Sequence, residues 1–261
     1  MNKKQLVRKK IRGSATMKKG VDLIPSLCTT GNLLCGFFAI ISAVNGRFQQ
    51  ASFAILAALI FDILDGRLAR LTKTCSDFGV EYDSLADLIS FGIAPALLAY
   101  SWGLNIYGRL GWVAAFLFVC CGALRLARFN TLVGESKTPR SKDFIGLPIP
   151  GAAALVASTF FFIKEYPFFE DIRSVFLILM VYLLSFLMVS NFRYRSFKQL
   201  DFRKKRPFNL LVMSVLVIFV VAAFPQLMLF LIFFSYSLSG LFEKGVHLLG
   251  FHPQRSLKNE K

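Results

Sequence analysis

Long apolar stretches are the feature that most limits how this chain can fold. Several such stretches approach or exceed the roughly 20 apolar residues that a helix needs to cross about 30 Å of hydrocarbon, and they lack the alternation of a barrel strand. Eight of them occur, at 23–46, 49–72, 83–104, 109–130, 149–164, 172–191, 208–224 and 226–242. With 55% hydrophobic residues, the chain is too apolar for a soluble domain of its size. The sequence therefore predicts an all-α, polytopic membrane protein.

The last two stretches leave the number of spans open. Only Pro225 separates them, and a proline there marks either a tight turn between two spans or a kink in one tilted helix. We expect eight spans, with both termini on the same side of the membrane. The alternative is six spans followed by a re-entrant pair.

The loops at the two ends of the predicted spans differ in positive charge. With the N-terminus inside, 27 of the 31 lysines and arginines lie in the inside segments. The outside turns hold the others, which are Arg47, Arg109, Lys164 and Arg173. This asymmetry follows the positive-inside rule and explains the net charge of +16 without a nucleic-acid partner. It predicts that the aspartate-rich ends of spans two and three lie on the cytoplasmic side of the membrane.

Two aspartates lie in the sequence FDILDGRLAR (61–70), at the end of the second apolar stretch. On a helix, Asp62 and Asp65 share one face with three further residues, Gly66, Ala69 and Arg70. The small residues leave room for a bulky ligand near the backbone, and the arginine could pair with a phosphate. This face is therefore a candidate binding surface.

A second acidic face follows in GVEYDSLADLIS, where Gly79, Asp83 and Asp87 recur at spacings of four on the next helix or its entry. Four carboxylates brought together at a membrane boundary repel one another and lose hydration. Two Mg²⁺ or Mn²⁺ ions are the expected counter-charge, since hard cations favour carboxylate and phosphate oxygens and can assist diphosphate cleavage. The alternative is that the aspartates pair with Arg67, Arg70 or Lys73 at an ordinary helix end.

From Asp62 to Asp87 the sequence reads D-x2-D-G-x2-A-R-x8-G-x3-D-x3-D. This pattern resembles the signature of the CDP-alcohol phosphatidyltransferase family, membrane enzymes that transfer a substituted phosphate from a CDP-linked donor to a hydroxyl and release CMP. The resemblance implies a six-helix core within a membrane domain at 23–191. A basic cytoplasmic or interfacial segment (1–22) would precede it. A basic loop, a C-terminal transmembrane pair and a cytoplasmic tail would follow at 192–261.

The resemblance also implies roles for the residues of the pattern. Asp62, Asp65 and Asp83 would bind two metal ions, and Asp87 would contribute to the metal site while acting as general base on the acceptor hydroxyl. The residues implied to bind CDP-diacylglycerol are Asp62, Gly66, Ala69, Arg70 and Gly79. A homodimer is a further implication of the family resemblance.

Three other stretches resemble the serine-using bacterial and archaeal branch of this family. They are IPSLCTTGNLLCGF at 24–37, ALRLARFN at 123–130 and GLPIPGAA at 146–153. They imply that the acceptor is L-serine, that the product is phosphatidylserine and that the protein lies in a bacterial inner membrane. The carboxylate of serine requires a cation such as an arginine.

Two arginines, Arg125 and Arg128, lie at the cytoplasmic end of the fourth span, on the same side as the aspartates. We expect Arg128, with Asn130 nearby, to bind serine; the alternative is that these arginines anchor the helix or bind lipid headgroups. Other acceptors remain open as functions within the family, namely glycerol phosphate, inositol phosphate and choline. An intramembrane prenyltransferase and an ion transporter are the alternatives outside it.

Overall fold

A computed structural model of the protein describes residues 23–72, 77–135, 144–194, 219 and 223–248. Within these ranges the chain is almost wholly helical. The long helices are α1 (Leu23–Val44), α2 (Phe48–Thr72), α3 (77–107), α4 (Arg109–Glu135), α5 (Ile149–Glu165), α6 (Arg173–Val189) and α7 (Pro225–Leu248). A short 3-10 turn (Pro167–Phe169) lies between α5 and α6, and the two-residue strands β1 (Phe144–Ile145) and β2 (Arg193–Tyr194) pair antiparallel.

The helices α1 to α6 coincide with the first six predicted spans, and the prediction of an all-α membrane bundle is confirmed. Among the residues that the structure describes, three helical stretches are long and apolar enough to cross a membrane, by length and composition, namely Ser26–Val44, Phe78–Tyr107 and Arg109–Thr131. The protein is therefore an integral membrane protein.

The number of spans stays a prediction. Apart from residues 219 and 223–224, the predicted span at 208–224 lies outside the described residues. The last predicted span is present as α7, which begins at Pro225 and continues past the predicted end at 242. A proline suits the first turn of a helix, because the amide hydrogen it lacks would have no partner within the helix.

Small side chains bring α1 and α2 together along much of their length. The buried alanines of this pair are Ala39, Ala43, Ala51, Ala54 and Ala58. Helix backbones in a membrane approach closely where such residues face each other. The connecting turn contains Gly46 at φ +73°, a conformation that favours glycine. Helices α1 and α2 thus form a compact hairpin, and one face of this hairpin remains available to pack against the other helices.

The third helix departs from regular α-helical geometry. Its segments are α-helical Asp77–Asp87, π-helical Leu88–Ile93, α-helical Ala94–Ala99, π-helical Tyr100–Leu104 and the 3-10 turn Asn105–Tyr107. The first π-helical segment follows Asp87 directly and packs on α1, where a Cβ on Gly36 would lie 2.6 Å from the Cα of Ser90. Glycine at this position therefore allows α1 to reach the part of α3 that carries Asp87.

The fifth helix is the most enclosed element, and thirteen of its seventeen residues are buried. Its entry is fixed by Gly146 at φ +79°, whose amide donates to the Phe192 carbonyl at 2.8 Å. Pro148 precedes the helix, and Pro150 lies in its first turn. The GLPIPGAA stretch therefore anchors the start of α5 against the end of α6.

The cations predicted in the outside turns mark the end of the bundle away from the aspartates. Lys164 at the end of α5 donates to the Gln49 side chain at the start of α2, at 2.6 Å. Arg173 at the start of α6 pairs with Glu170 and stacks on Trp102, with its guanidinium carbon 5.4 Å from the ring centroid. Asp62 lies more than halfway along α2 from this end.

Candidate active site

Three of the four predicted aspartates meet between α2 and α3. Asp62, Asp83 and Asp87 each offer a carboxylate oxygen, and these oxygens lie within 4.8 Å of one another. The helical spacing explains the meeting, because Asp83 and Asp87 are one turn apart on the regular first segment of α3. The two acidic faces predicted from the sequence therefore converge.

The fourth aspartate has a different partner. Asp65 is buried, with 6% of its surface exposed, and its carboxylate accepts a hydrogen bond from the Thr29 hydroxyl on α1. It lies outside the group of three, although it remains close enough to Asp62 and Asp83 to interact with them electrostatically. The predicted role of Asp65 as a metal ligand stays a prediction.

Asn32 on α1 holds one carboxylate of the group of three, that of Asp87. Its Nδ2 donates to Oδ1 of Asp87 at 3.0 Å, and its backbone carbonyl accepts from the Ser90 hydroxyl at 3.0 Å. Asn32 is fully buried. The close packing of α1 on the π-helical segment of α3 thus fixes one oxygen of Asp87 and leaves its other oxygen for a ligand or a proton.

Two buried acceptor atoms beside this group have no hydrogen-bond partner among the described residues, namely Oδ1 of Asn32 and Oδ1 of Asp83. Buried oxygens of this kind are costly unless a donor or a cation satisfies them. Clustered carboxylates also repel one another in a medium of low dielectric constant. The residues present therefore fit a hard divalent cation, whose preferred ligands are oxygens.

One cation, Arg125, is half-buried on α4, and its charge acts on Asp87 in the carboxylate group. Its Nε is buried and makes no hydrogen bond within the described part of the chain. The guanidinium therefore retains capacity for an anionic ligand.

The two residues predicted to bind serine lie further along α4. The Arg128 side chain is exposed, and Asn130 is half-buried with its Nδ2 donating to the Ser84 hydroxyl at 3.0 Å. Another hydrogen bond, between the Thr30 and Tyr82 hydroxyls at 3.0 Å, joins α1 to α3. These two contacts hold the first segment of α3 between α1 and α4, so they position the aspartates that it carries.

The predicted donor-binding residues lie beside the acidic group. Gly66 is exposed one residue after Asp65, and Gly79 is half-buried on the first turn of α3. Ala69 and Arg70 continue the same face of α2, and their side chains lie outside what the structure describes. On α2, the residues predicted to bind the donor therefore lie next to the aspartates.

Sequence reasoning assigned no site role to Thr29 and Asn32. A signal for both was present, because they are polar residues three apart inside an apolar span, and such residues in a membrane helix are candidates for function.

Apolar helices that enclose a carboxylate group at one end define a class of membrane protein with an intramembrane polar site suited to divalent cations. The sequence comparisons identify the family within that class. A sequence model described as CDP-alcohol phosphatidyltransferase matches residues 22–189. The chain belongs to the CDP-alcohol phosphatidyltransferase family, and it is a transferase, as the resemblance of the aspartate pattern implied.

Individual relatives of this chain carry more specific names. A CDP-diacylglycerol–serine O-phosphatidyltransferase from Helicobacter pylori is 43% identical over 183 residues, which cover 70% of this chain and 76% of the relative. A protein of the same name from Bacillus subtilis is 37% identical, covering 69% of this chain and 93% of its own length. An archaetidylserine synthase from Methanothermobacter thermautotrophicus is 37% identical, covering 66% and 69%.

Proposed function

We propose that this protein transfers the phosphatidyl group of CDP-diacylglycerol to the hydroxyl of L-serine, giving phosphatidylserine and CMP. The names of the similar proteins from three organisms support this assignment. The observation that carries it is the group of Asp62, Asp83 and Asp87, whose carboxylate oxygens lie within 4.8 Å of one another in a chain of this family. In serine the carboxylate and the hydroxyl are separated by only two carbons, so such an acceptor also needs a cation near the base, and the charge of Arg125 acts on Asp87.

The divalent ions of this site would be Mg²⁺ or Mn²⁺. Asp62, Asp83 and Asp87 would hold them, with Asp65 completing the set. When bound, such ions neutralise charge on a diphosphate and stabilise the oxygen that leaves. The unpartnered buried oxygens of Asn32 and Asp83 support a cation at this position.

The side chains of the protein would then direct the transfer. As the serine oxygen forms its bond to the phosphorus that bears diacylglycerol, the bond from that phosphorus to the CMP oxygen breaks, and CMP leaves with the electron pair. The serine proton passes to Asp87. Because Asn32 occupies Oδ1 of this aspartate, Oδ2 is the oxygen that receives the proton. Gly66, Ala69, Arg70 and Gly79 would form the donor side.

Arg125 and Arg128 offer a direct comparison for the acceptor site. We propose Arg125 as the ligand of the serine carboxylate, because it is half-buried and its charge acts on Asp87, whereas Arg128 is exposed and, with Asn130, represents the assignment favoured by the sequence. Arg125→Lys keeps the charge but loses the two-pronged donor geometry, so the KM for serine should rise by about tenfold or more. Arg128→Lys should change it by less than about twofold if its role is electrostatic anchoring.

The measurement is serine-dependent CMP release at saturating CDP-diacylglycerol. The KM for CDP-diacylglycerol in the Arg125→Lys variant serves as an internal control and should stay close to that of the unmodified protein. A larger effect on serine from Arg128→Lys than from Arg125→Lys would return the assignment to Arg128 and Asn130.

Product identification tests the proposed function itself. Purified protein is incubated with CDP-diacylglycerol, Mn²⁺ or Mg²⁺, and one acceptor at a time: L-serine, glycerol 3-phosphate, inositol phosphate or choline. We expect phosphatidylserine and CMP in equal amounts from serine, and no lipid product from the other acceptors. Transfer to glycerol 3-phosphate in preference to serine would contradict the proposal and indicate another acceptor within the family.

We further propose the setting in which this reaction occurs. The charge asymmetry of the loops supports an inner-membrane protein with its active site facing the cytoplasm. The extent of the family match, 22–189, supports a membrane domain at 23–191 between a basic segment (1–22) and a C-terminal part (192–261). The family resemblance supports a homodimer.

A further inference from the structure

A buried asparagine contacts the aspartate group from a third helix. Asn32 lies on α1, thirty residues before Asp62, so it is outside the aspartate pattern carried by α2 and α3. Thr29, one turn earlier on α1, donates to Asp65, and Asn32 itself donates to Asp87. The same part of α1 therefore contacts two of the four aspartates and forms a third wall of the site.

Two polar groups of Asn32 have partners on α3. Its backbone carbonyl accepts from the Ser90 hydroxyl, and its Nδ2 donates to Oδ1 of Asp87, each at 3.0 Å. An ionised carboxylate only accepts hydrogen bonds, so the amide nitrogen is the atom that faces Asp87. The amide oxygen is buried and has no hydrogen-bond partner within the described part of the chain. The packing of α1 on α3 thus explains the backbone and the nitrogen of Asn32 but not its Oδ1.

The covalent geometry of the amide limits how far this oxygen can lie from the aspartates. Oδ1 and Nδ2 of Asn32 are bonded to the same carbon, so they are at most about 2.6 Å apart. The amide oxygen accordingly lies no more than about 5.6 Å from Oδ1 of Asp87. Two oxygens on opposite sides of one Mg²⁺ are about 4 Å apart, and two ions of a paired site are separated by about 3.5–4 Å. The largest separation that the amide allows is therefore comparable with the span of a paired-ion site.

We propose that Oδ1 of Asn32 is a further ligand of the divalent ions, so that α1 completes an ion site whose carboxylates come from α2 and α3. This inference rests on the proposed function. An amide carbonyl is a ligand that hard cations accept alongside carboxylates. It adds an oxygen without adding negative charge to carboxylates that already repel one another. Asn32 thus uses its nitrogen to hold Asp87 and its oxygen to bind an ion.

Asn32→Ala and Asn32→Asp separate these two uses of the amide. Alanine removes both the nitrogen and the oxygen, whereas aspartate keeps an oxygen at this position and removes the donor to Asp87. We expect the Kd for Mn²⁺ to rise by about tenfold or more in Asn32→Ala, at least the effect of losing an outer partner of a metal ligand. In Asn32→Asp it should stay within about threefold of the unmodified value or fall, because hard cations favour carboxylates.

The measurement is the rise in thermal midpoint as the purified protein in detergent is titrated with Mn²⁺ and no substrate. This readout does not depend on turnover, and the midpoint in a chelator shows whether each variant is folded. Ser52→Ala is the matched control, because it removes another fully buried oxygen without a partner among the described residues. Ser52 lies on α2, ten residues before Asp62. The Kd for Mn²⁺ in this variant should equal that of the unmodified protein.

Asn32→Cys provides a second, independent test by changing the preferred ion. Thiolates select softer ions such as Zn²⁺, whereas Mg²⁺ favours oxygen ligands. We expect the thermal response of this variant to Mg²⁺ to fall and its response to Zn²⁺ to exceed that of the unmodified protein. The unmodified protein supplies the background, because it already carries free cysteines, among them Cys28 on α1. A side chain that only positions Asp87 would give no gain with Zn²⁺.

The outcomes separate this inference from the function on which it rests. If the unmodified protein forms no phosphatidylserine, the proposed function fails, and the ion titrations still decide the role of Asn32. If the protein is active but Asn32→Ala binds Mn²⁺ as tightly as the unmodified protein, the inference fails and the function stands.

Two further results would also overturn the ligand role. An Asn32→Asp variant that binds Mn²⁺ as weakly as Asn32→Ala would show that Asn32 acts only through its hydrogen bond to Asp87. The absence of any ion-dependent rise in the unmodified protein would remove the ion itself. If Asn32→Ala does not yield folded protein, Asn32→Cys decides, and no gain with Zn²⁺ overturns the inference.

Discussion

Phosphatidylserine formation should be lost when any one of Asp62, Asp83 and Asp87 is replaced by asparagine. The substitution keeps the size of each side chain and removes one negative charge from a group whose oxygens lie within 4.8 Å of one another. For Asp87 the loss of the general base alone should lower kcat by about 10²- to 10⁴-fold. We expect losses of similar order for Asp62 and Asp83, since the charge on the diphosphate would no longer be neutralised in full.

The same substitutions should not destabilise the protein when metal ions are absent. With a chelator present, removing one carboxylate relieves repulsion within the group, so the thermal midpoint of Asp83→Asn should equal or exceed that of the unmodified protein. Glu81→Gln is the matched control, because this acid lies on the same segment of α3 with an exposed side chain. It should leave turnover and the thermal midpoint nearly unchanged.

The measurements are CMP release and thermal unfolding in detergent, after a check that each variant enters the membrane fraction. Loss of activity together with retained stability would separate a chemical role from a structural one. Near-normal turnover in all three asparagine variants would reject the assigned site. A fall in the thermal midpoint of Asp83→Asn under chelation would indicate that Asp83 supports the fold through an interaction other than cation binding.

Removal of divalent ions should abolish turnover in the unmodified protein, and Mg²⁺ or Mn²⁺ should restore it. The buried oxygens of Asn32 and Asp83 that lack hydrogen-bond partners would lose their counter-charge. A ligand that binds the folded state also stabilises it, by about 2.7 kcal/mol at a concentration one hundred times its Kd. Adding the ion should therefore raise the thermal midpoint as well as the activity.

The thermal measurement distinguishes an ion held by the protein from an ion carried by the substrate alone. We expect the ion-dependent rise in thermal midpoint without any substrate, and a much smaller rise in Asp83→Asn. Glu81→Gln should behave as the unmodified protein. Full activity in excess chelator, or an equal thermal response in Asp83→Asn, would contradict metal binding by this aspartate group.

The part of the site that depends on local spacing could be predicted from the sequence. Asp83 and Asp87 are one helical turn apart, so any helix through them places both carboxylates on one face. Asp62 lies on the facing side of the preceding helix, and a short connection leaves the two helices adjacent. The helical fold followed in the same way from apolar length, because a hydrocarbon environment admits only structures that satisfy every backbone hydrogen bond internally.

Other features depend on the orientation of each helix about its own axis relative to its neighbours. Arg125 and Arg128 are three residues apart and nearly share a face, so spacing alone could not decide which of them is half-buried and which is exposed. The partner of Asp65 was equally undetermined. Thr29 reaches it from a helix more than thirty residues earlier in the chain, and nothing in local periodicity specifies such a contact.

By itself the sequence determined the membrane environment, the helical class and the aspartate pattern, since each follows from composition or from residues within one or two helical turns. Tertiary structure alone decided that Asn32 donates to Asp87, that Thr29 donates to Asp65, and that α7 places the Tyr236 ring on Gly151. The physical reason is that these contacts join residues distant in sequence. They depend on close packing between helices, which small residues such as Gly36 and Gly151 permit.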